Sequence, residues 1–433
     1  MIIKKELLIN LIISTIPISF IAGNLLLNLN ILLIIILCLF FFKLKIFDKK
    51  LELIDKLFLL LFIYIFLNGL INNYLNYEGT NVIFIKSLSY IRFLILYFIF
   101  KFLVKNNLIN YKLIFFTFGA SALFVAIDLM IQYSFGKDIF GYGTVNLQRR
   151  LSGPFGDEYI AGSFIQRFYI FAIYFVLLFS GFRKIKFTNF TFIILIAIFL
   201  LGALLAGNRV PLVIFIFTLT LFFLFEKKIK HFLIIFLISL SLVSITLKLD
   251  FEYKSHYKGF IENSFQIKDY VLQRLKNFNT DTIVDLPQDN TYAKEIETGI
   301  LVWQQNKLFG GGIKSFYLNC IKIENSSMDK YGGTNCNQHP HNYYLHIISE
   351  LGFFGLLLII SIFALMIVRS IKVIFGKNNI GSKKILIPFF IVFIAEIFPL
   401  KTTGSFFTSA NATFLFIIVS FIVGLTQLKK TNI

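Results

Sequence analysis

The stretch His339-Pro340-His341-Asn342-Tyr343-Tyr344-Leu345-His346-Ile347-Ile348-Ser349-Glu350-Leu351-Gly352-Phe353-Phe354-Gly355 closes the longest polar segment of the chain and opens a long apolar one. Asn337 and Pro340 are helix-start signals, since Pro fits a first turn whose N–H groups have no intrahelical partner. This reading places His341 in that first turn, where water meets apolar helix. A polar cap and a chemical group are both open for a His in such a place. The chain holds only five His, and three of them fall in this stretch, which shifts the weight toward chemistry.

Outward from this stretch the chain is strongly apolar. Hydrophobic residues make up 57% of its 433 positions, and the mean hydropathy is +0.78. Runs long enough to cross a bilayer recur from end to end, so the expected fold class is an all-α polytopic membrane protein with about 12 transmembrane helices. The net charge of +19 would suit nucleic acid, but the positive residues sit in short loops between apolar runs. The positive-inside rule accounts for them there, and no nucleic-acid partner is expected. Met1 to Phe20 carries Lys4 and Lys5 without a small-residue cleavage site, so no cleavable signal peptide is expected. Lys is abundant and Arg scarce. A retained Arg therefore marks a place that needs a planar, forked donor.

The expected spans are 7–23, 25–42, 57–71, 82–104, 112–134, 160–181, 189–206, 210–225, 232–249, 343–369, 385–400 and 411–428. With this alternation every basic cluster falls on one side, from Lys4-Lys5 through Lys43 to Lys56 and Arg369 to Lys384 to Lys429-Lys430. Both termini are then cytoplasmic. The chain divides into helices 1 to 9 (1–249), a large outer loop (250–342) and helices 10 to 12 (343–433). The outer face also receives Phe135 to Glu158 with Arg149-Arg150, the tight turn Gly207-Asn208-Arg209, and Thr402 to Ala410. Function is expected on that face, because long loops build sites and short basic loops set topology.

Within the large loop, Tyr292 to Gln305 reads as an amphipathic helix with Ile296, Ile300 and Trp303 on one face. Next comes Gly310-Gly311-Gly312-Ile313-Lys314-Ser315-Phe316. A phosphate-cradling loop and a sharp turn packed under Phe316 are both open, although the lysine–hydroxyl ending of a nucleotide loop is missing. Cys38 lies inside the second span as an apolar filler. Cys320 and Cys336 both lie in the outer loop, where an oxidising compartment pairs them. A zinc site with His339 and His341 is the alternative, opposed by the Pro between the two His, which would point them in different directions.

The residues Gly310 to Phe316, Cys320, Cys336, His339 to Leu345 and Glu350 to Gly355 together resemble the O-antigen ligase and O-antigen polymerase family. Arg150-Leu151-Ser152-Gly153-Pro154-Phe155-Gly156 with Gly162, Gly207-Asn208-Arg209, and Phe398-Pro399 with Gly404-Ser405-Phe406-Phe407 resemble further pieces of it in the right order. The resemblance covers about residues 140–420. It implies a GT-C-type glycosyltransferase of the bacterial inner membrane, embedded in membrane lipid and acting on the periplasmic face without metal or cofactor. The donor would be an undecaprenyl-diphosphate-linked glycan. The acceptor would be the lipid A core for a ligase, or a second lipid-linked glycan for a polymerase. The family also tends to carry an Arg in the large loop just before its Trp-containing helix. Here that place reads Tyr292-Ala293-Lys294-Glu295-Ile296-Glu297, so Arg274, Lys294 or Arg150 would take over its role.

The residues themselves suggest how the chemistry would divide. His341, neutral at a helix start, would accept a proton from the acceptor hydroxyl. Arg209, with Arg149 or Arg150, would grip the leaving diphosphate. His339 and Asn342 would contact substrate beside them. Arg92 and Arg167 lie inside apolar spans, where pairing with Asp128 or Glu396 and contact with substrate are equally open. His346 and Glu350, one helical turn apart, would pair. A lipid-linked glycan flippase is the competing class, but it would gather its polar groups near the bilayer midplane. A structural subunit would leave His341 dispensable.

Overall fold

The computed structural model describes residues 5–47, 50–75, 81–143, 150–179, 185–226, 241, 251–276, 290–324, 336–376, 380–401 and 404–428. Among these the chain is all-α, without a β-strand. The helices in chain order are α1 (Lys5–Ser14), α2 (Ile16–Ile21), α3 (Asn24–Phe42), α4 (Leu53–Leu75), α5 (Val82–Tyr90), α6 (Arg92–Lys105), α7 (Tyr111–Phe135), α8 (Ala161–Phe179), α9 (Ile185–Leu205) and α10 (Arg209–Phe225). They continue with α11 (Phe251–Lys276), α12 (Thr291–Gln305), α13 (Ser315–Glu324), α14 (Tyr343–Phe375), α15 (Ile380–Glu396) and α16 (Ser409–Thr426).

Seven helical segments are long and apolar enough to cross a membrane, and Thr191–Leu205 and Arg209–Phe225 are apolar but shorter. The all-α polytopic expectation holds, but among the described residues these seven fall short of twelve. The expected first span is two short helices, with Pro17 opening the second. The span expected at 385–400 lies on α15, which carries Pro388 inside it and ends at Glu396. The span expected at 232–249 lies outside the described residues. A helix enclosed by other helices satisfies its surroundings with protein, so it need not match the bilayer in length.

Aromatic rings fill the space between helices. Phe115, Phe118, Phe168 and Phe171 are fully buried where α7 packs along α8. That packing needs close backbones: a Cβ added to Gly119 would stand 2.5 Å from the Ala172 Cα. α16 runs along α6 and against α15, where Phe389 and Phe421 stack at 4.5 Å.

One end of the bundle joins the start of α4 to the ends of α6 and α14. There Asp55 accepts from Lys101 at 2.7 Å and from Tyr97 at 2.6 Å, and Arg369 pairs with Glu52. The opposite end gathers the α2–α3 turn, the segment before α8, the α9–α10 turn, the segment before α14 and the segment before α16.

At this second end α14 is broken. Gly352 has φ +65° and ψ −171°, so the carbonyls before it and the N–H groups after it lose their helical partners. The Gly-rich turn supplies new ones. Gly312 N–H donates to the Glu350 carbonyl at 2.8 Å, and Phe353 N–H donates to the Lys307 carbonyl at 3.0 Å. From α4, the Tyr64 hydroxyl donates to the Leu351 carbonyl at 2.6 Å and Asn68 Nδ2 to the Phe309 carbonyl at 2.6 Å. A Cβ on Gly310 would stand 2.4 Å from the Glu350 carbonyl oxygen, and one on Gly352 the same distance from that of Leu308. This decides between the two readings of Gly310 to Gly312: it is a sharp turn above a fully buried Phe316, with the Gly310 N–H bonded to the Asn306 carbonyl and the Gly311 and Gly312 N–H groups taken by the broken helix.

Cys320 and Cys336 are bonded to each other, which removes both sulfur ligands of the zinc alternative. Val302, Phe316 and Ile323 enclose the bridge. Cys38 is a buried free thiol. Titration of unfolded, unreduced protein should therefore find one thiol; three would refute the pairing. With a sequence separation of 16, replacing both bridge cysteines by Ser should cost about 3 kcal/mol of stability by loss of chain constraint.

Candidate active site

The α9–α10 turn is fixed by its Asn. Asn208 Nδ2 donates to the Tyr159 carbonyl at 2.9 Å, and its Oδ1 accepts the Gly162 N–H at 3.1 Å. The start of α8 is thereby pinned to the start of α10, with Gly207 at φ +66° making the turn. Arg209 is the first residue of α10, so its guanidinium stands where the helix dipole adds positive potential.

The helix that opens at the His-rich stretch begins later than the sequence suggests. Its first residue is Tyr343, and Asn342 is the cap: Oδ1 accepts from the Tyr344 and Leu345 N–H groups at 2.9 and 3.1 Å. The rest of the amide is committed too, since Nδ2 donates to the Pro399 carbonyl at 2.8 Å. Asn342 therefore orders the site, and the expected substrate contact finds its amide already occupied. His341 is outside the helix, at φ +48°, and the first-turn position expected for it is not found. A cap needs an acceptor side chain just before the first turn, and Asn342 supplies one where His341 could not.

A cavity of about 480 Å³ opens at this end of the bundle. Its walls bring together Arg150, Arg209, Glu295, His341, Ser163 and Asn208. Three of the expected site residues thus share one space, drawn from three separate parts of the chain. Arg149 lies outside the described residues, as does the side chain of Arg274 on α11. Of α12 the cavity takes Tyr292 and Glu295, while Lys294 is not among its walls.

His339 also stays off the cavity. Its ring lies 4.3 Å from that of His341 and 6.1 Å from that of His346, centroid to centroid. The two His thus face each other across Pro340, contrary to the divergence expected from the sequence. Burial, with His341, His346 and Lys314 nearby, pulls the His339 imidazole down to about 3. It remains neutral and cannot compete with His341 for a proton. His346 pairs with Glu350 as expected, Nε2 to Oε1 at 3.1 Å. Its Nδ1 accepts the Phe406 N–H at 3.3 Å, so the hydrogen-bond network assigns the proton to Nε2.

Glu295 was not legible as a site residue. The face expected to be buried, Ile296, Ile300 and Trp303, is only half-buried, while Ala293, Glu295, Thr298 and Val302 turn fully inward. α12 packs on α14, and that contact decides which face is buried.

A second cavity, about 420 Å³, shares Ile160, Ser163 and Gly404 with the first. Phe20, Leu27, Phe155 and Phe164 give it an apolar wall, and Arg167 a polar one. Arg167 is paired with Glu396, Nε to Oε1 at 2.9 Å, and reaches Asn411 at 2.6 Å. Asp128 instead accepts the Ile139 N–H, and Arg92 donates to Ser409.

Residues 193–360 match the O-antigen ligase family model. This stretch is similar to the O-antigen ligases. The matched stretch runs from within α9 to within α14, so it contains Arg209, Glu295, the disulfide, His341 and Glu350, whereas Arg150 comes from the chain before it. Ligase-type activity on lipid-linked glycans agrees with an apolar helical bundle whose polar cavity lies at one end. No curated protein matches the chain.

Proposed function

We propose that the protein is a glycosyltransferase moving a glycan from undecaprenyl diphosphate to the lipid A core. The reaction would take place at the periplasmic face of the bacterial inner membrane, with both termini cytoplasmic and a GT-C-type helical arrangement. The observation that carries this reading is the cavity shared by His341, Arg150 and Arg209. His341 takes the proton of the acceptor hydroxyl. The freed oxygen attacks the anomeric carbon from the side opposite the diphosphate, which inverts that centre. The sugar–phosphate bond breaks, and its electron pair leaves with the diphosphate. Arg209 and Arg150 neutralise the charge that develops, so the reading needs no metal. The adjoining cavity, with its apolar wall, gives a second lipid-borne substrate room beside the first.

Deletion of the gene followed by gel analysis of lipopolysaccharide tests the reading. Loss of all long chains, with lipid-linked polymer accumulating, is the result expected. Core bearing a single repeat unit would instead mean a polymerase that uses the same site. Normal lipopolysaccharide would overturn both.

A further inference from the structure

His341 holds a backbone conformation that non-glycine residues adopt only when their surroundings impose it. What faces its Nε2 is the Glu295 carboxylate, 3.7 Å away. Glu295 is 6% exposed. Its Oε1 accepts from Asn337 Nδ2 at 3.2 Å, and its Oε2 is buried without a hydrogen-bond partner among the described residues. A buried carboxylate oxygen without a donor is costly, and a fold retains one where another requirement holds it. Arg150, Arg209 and Tyr292 share the cavity with it, and His339 backs onto His341. From α11 the cavity takes the uncharged Asn263, while Tyr270 is bonded to Glu297.

We propose that Glu295 is a positioning residue for glycan transfer: it holds the His341 imidazole through Nε2 and balances the imidazolium that forms when the ring takes the acceptor proton. This rests on His341 being the base. The acceptor proton passes to the His341 ring as the new glycosidic bond forms and the diphosphate departs. The ring then carries two N–H groups and a positive charge, with the Glu295 anion beside Nε2. The proton later leaves with the diphosphate or to water, and the ring is neutral again. A gap of 3.7 Å is a charge contact, and such contacts tighten once substrate fills the site. Burial pushes the Glu295 carboxyl up to about 7, with Asn337 holding back part of the rise. Its charge therefore appears over the pH range in which an imidazole also titrates.

The test is the pH profile of kcat for full-length wild type, Glu295→Gln, Glu295→Asp and His341→Ala, with an undecaprenyl-diphosphate oligosaccharide as donor. Glu295→Gln should lower kcat about 10- to 100-fold, a part of what a general base contributes, with KM little changed. Its acid limb should move to lower pH, because the imidazolium has lost its anion. Glu295→Asp should retain the limb at a reduced rate. A rate loss with the limb unmoved would make Glu295 structural and overturn the pairing, as would a wild-type profile. Should Glu295→Gln not fold, an undiminished kcat in Glu295→Asp would overturn it equally. An inactive His341→Ala beside a normal Glu295→Gln removes the pairing alone, whereas an active His341→Ala removes the base and the pairing together.

Discussion

Replacing His341 by Ala is expected to stop glycan transfer while leaving the helical bundle intact. His341 belongs to no helix and is only partly buried, so its loss opens no void in the core. The rate should fall by a factor of about 10² to 10⁴, the usual contribution of a general base. Arg209→Ala should cost a similar order, since a cation aimed at the leaving group acts where charge develops. Arg209→Lys keeps the charge and loses the fork, so it should remain badly impaired if two diphosphate oxygens are gripped together. His339→Ala should be milder, because that ring supports His341 from behind and does not line the cavity. The measurement is transfer from purified undecaprenyl-diphosphate glycan by each folded variant, with chelator present. Near-normal transfer by His341→Ala would remove the base from the mechanism. Complete inhibition of the wild type by chelator would put a metal into it.

Glu396→Ala should be the most damaging substitution for the fold. Glu396 lies between two buried cations, Arg167 on α8 and Lys401 just after α15, the latter at 2.5 Å from Oε2. The side chains of Arg167, Glu396 and Lys401 are 8%, 1% and 1% exposed. Removing the carboxylate leaves two positive charges without an anion in an apolar surround, and breaking such a buried pair costs about 3 to 5 kcal/mol. Thermal unfolding in detergent measures it, and a midpoint equal to wild type would show that the cluster is wet. Replacing all three residues by apolar ones of similar volume should recover most of the loss, since no charge is then left uncompensated.

The sequence and the structure agree most closely where one local property decides the outcome. Apolar runs gave the helices, and the two cysteines of one polar loop gave the bridge. Arg150, Arg209 and His341 could be placed on one face by charge asymmetry and family resemblance, although nothing local to any of them says that they share a cavity. Legibility ended where distant packing decides. The inward turn of Glu295 depends on α12 meeting α14. The true start of α14 depends on the Asn342 amide, which outweighed Asn337 and Pro340 as a start signal. Gly352 sits in an apolar run that reads as uninterrupted helix, and its break shows only beside the turn at Gly310.

That break has a consequence for how the protein reaches its native state in the bilayer. Lipid offers no donor or acceptor to the backbone groups that Gly352 releases, so the span from Tyr343 cannot settle there alone. The segment that satisfies them, Lys307 to Gly312, precedes it in the chain, and Tyr64, which bonds the Leu351 carbonyl, comes earlier still. Everything needed to receive the broken span has therefore been synthesised before the span itself emerges. Seating the span against that turn also fixes where His341, two residues before it, meets the cavity.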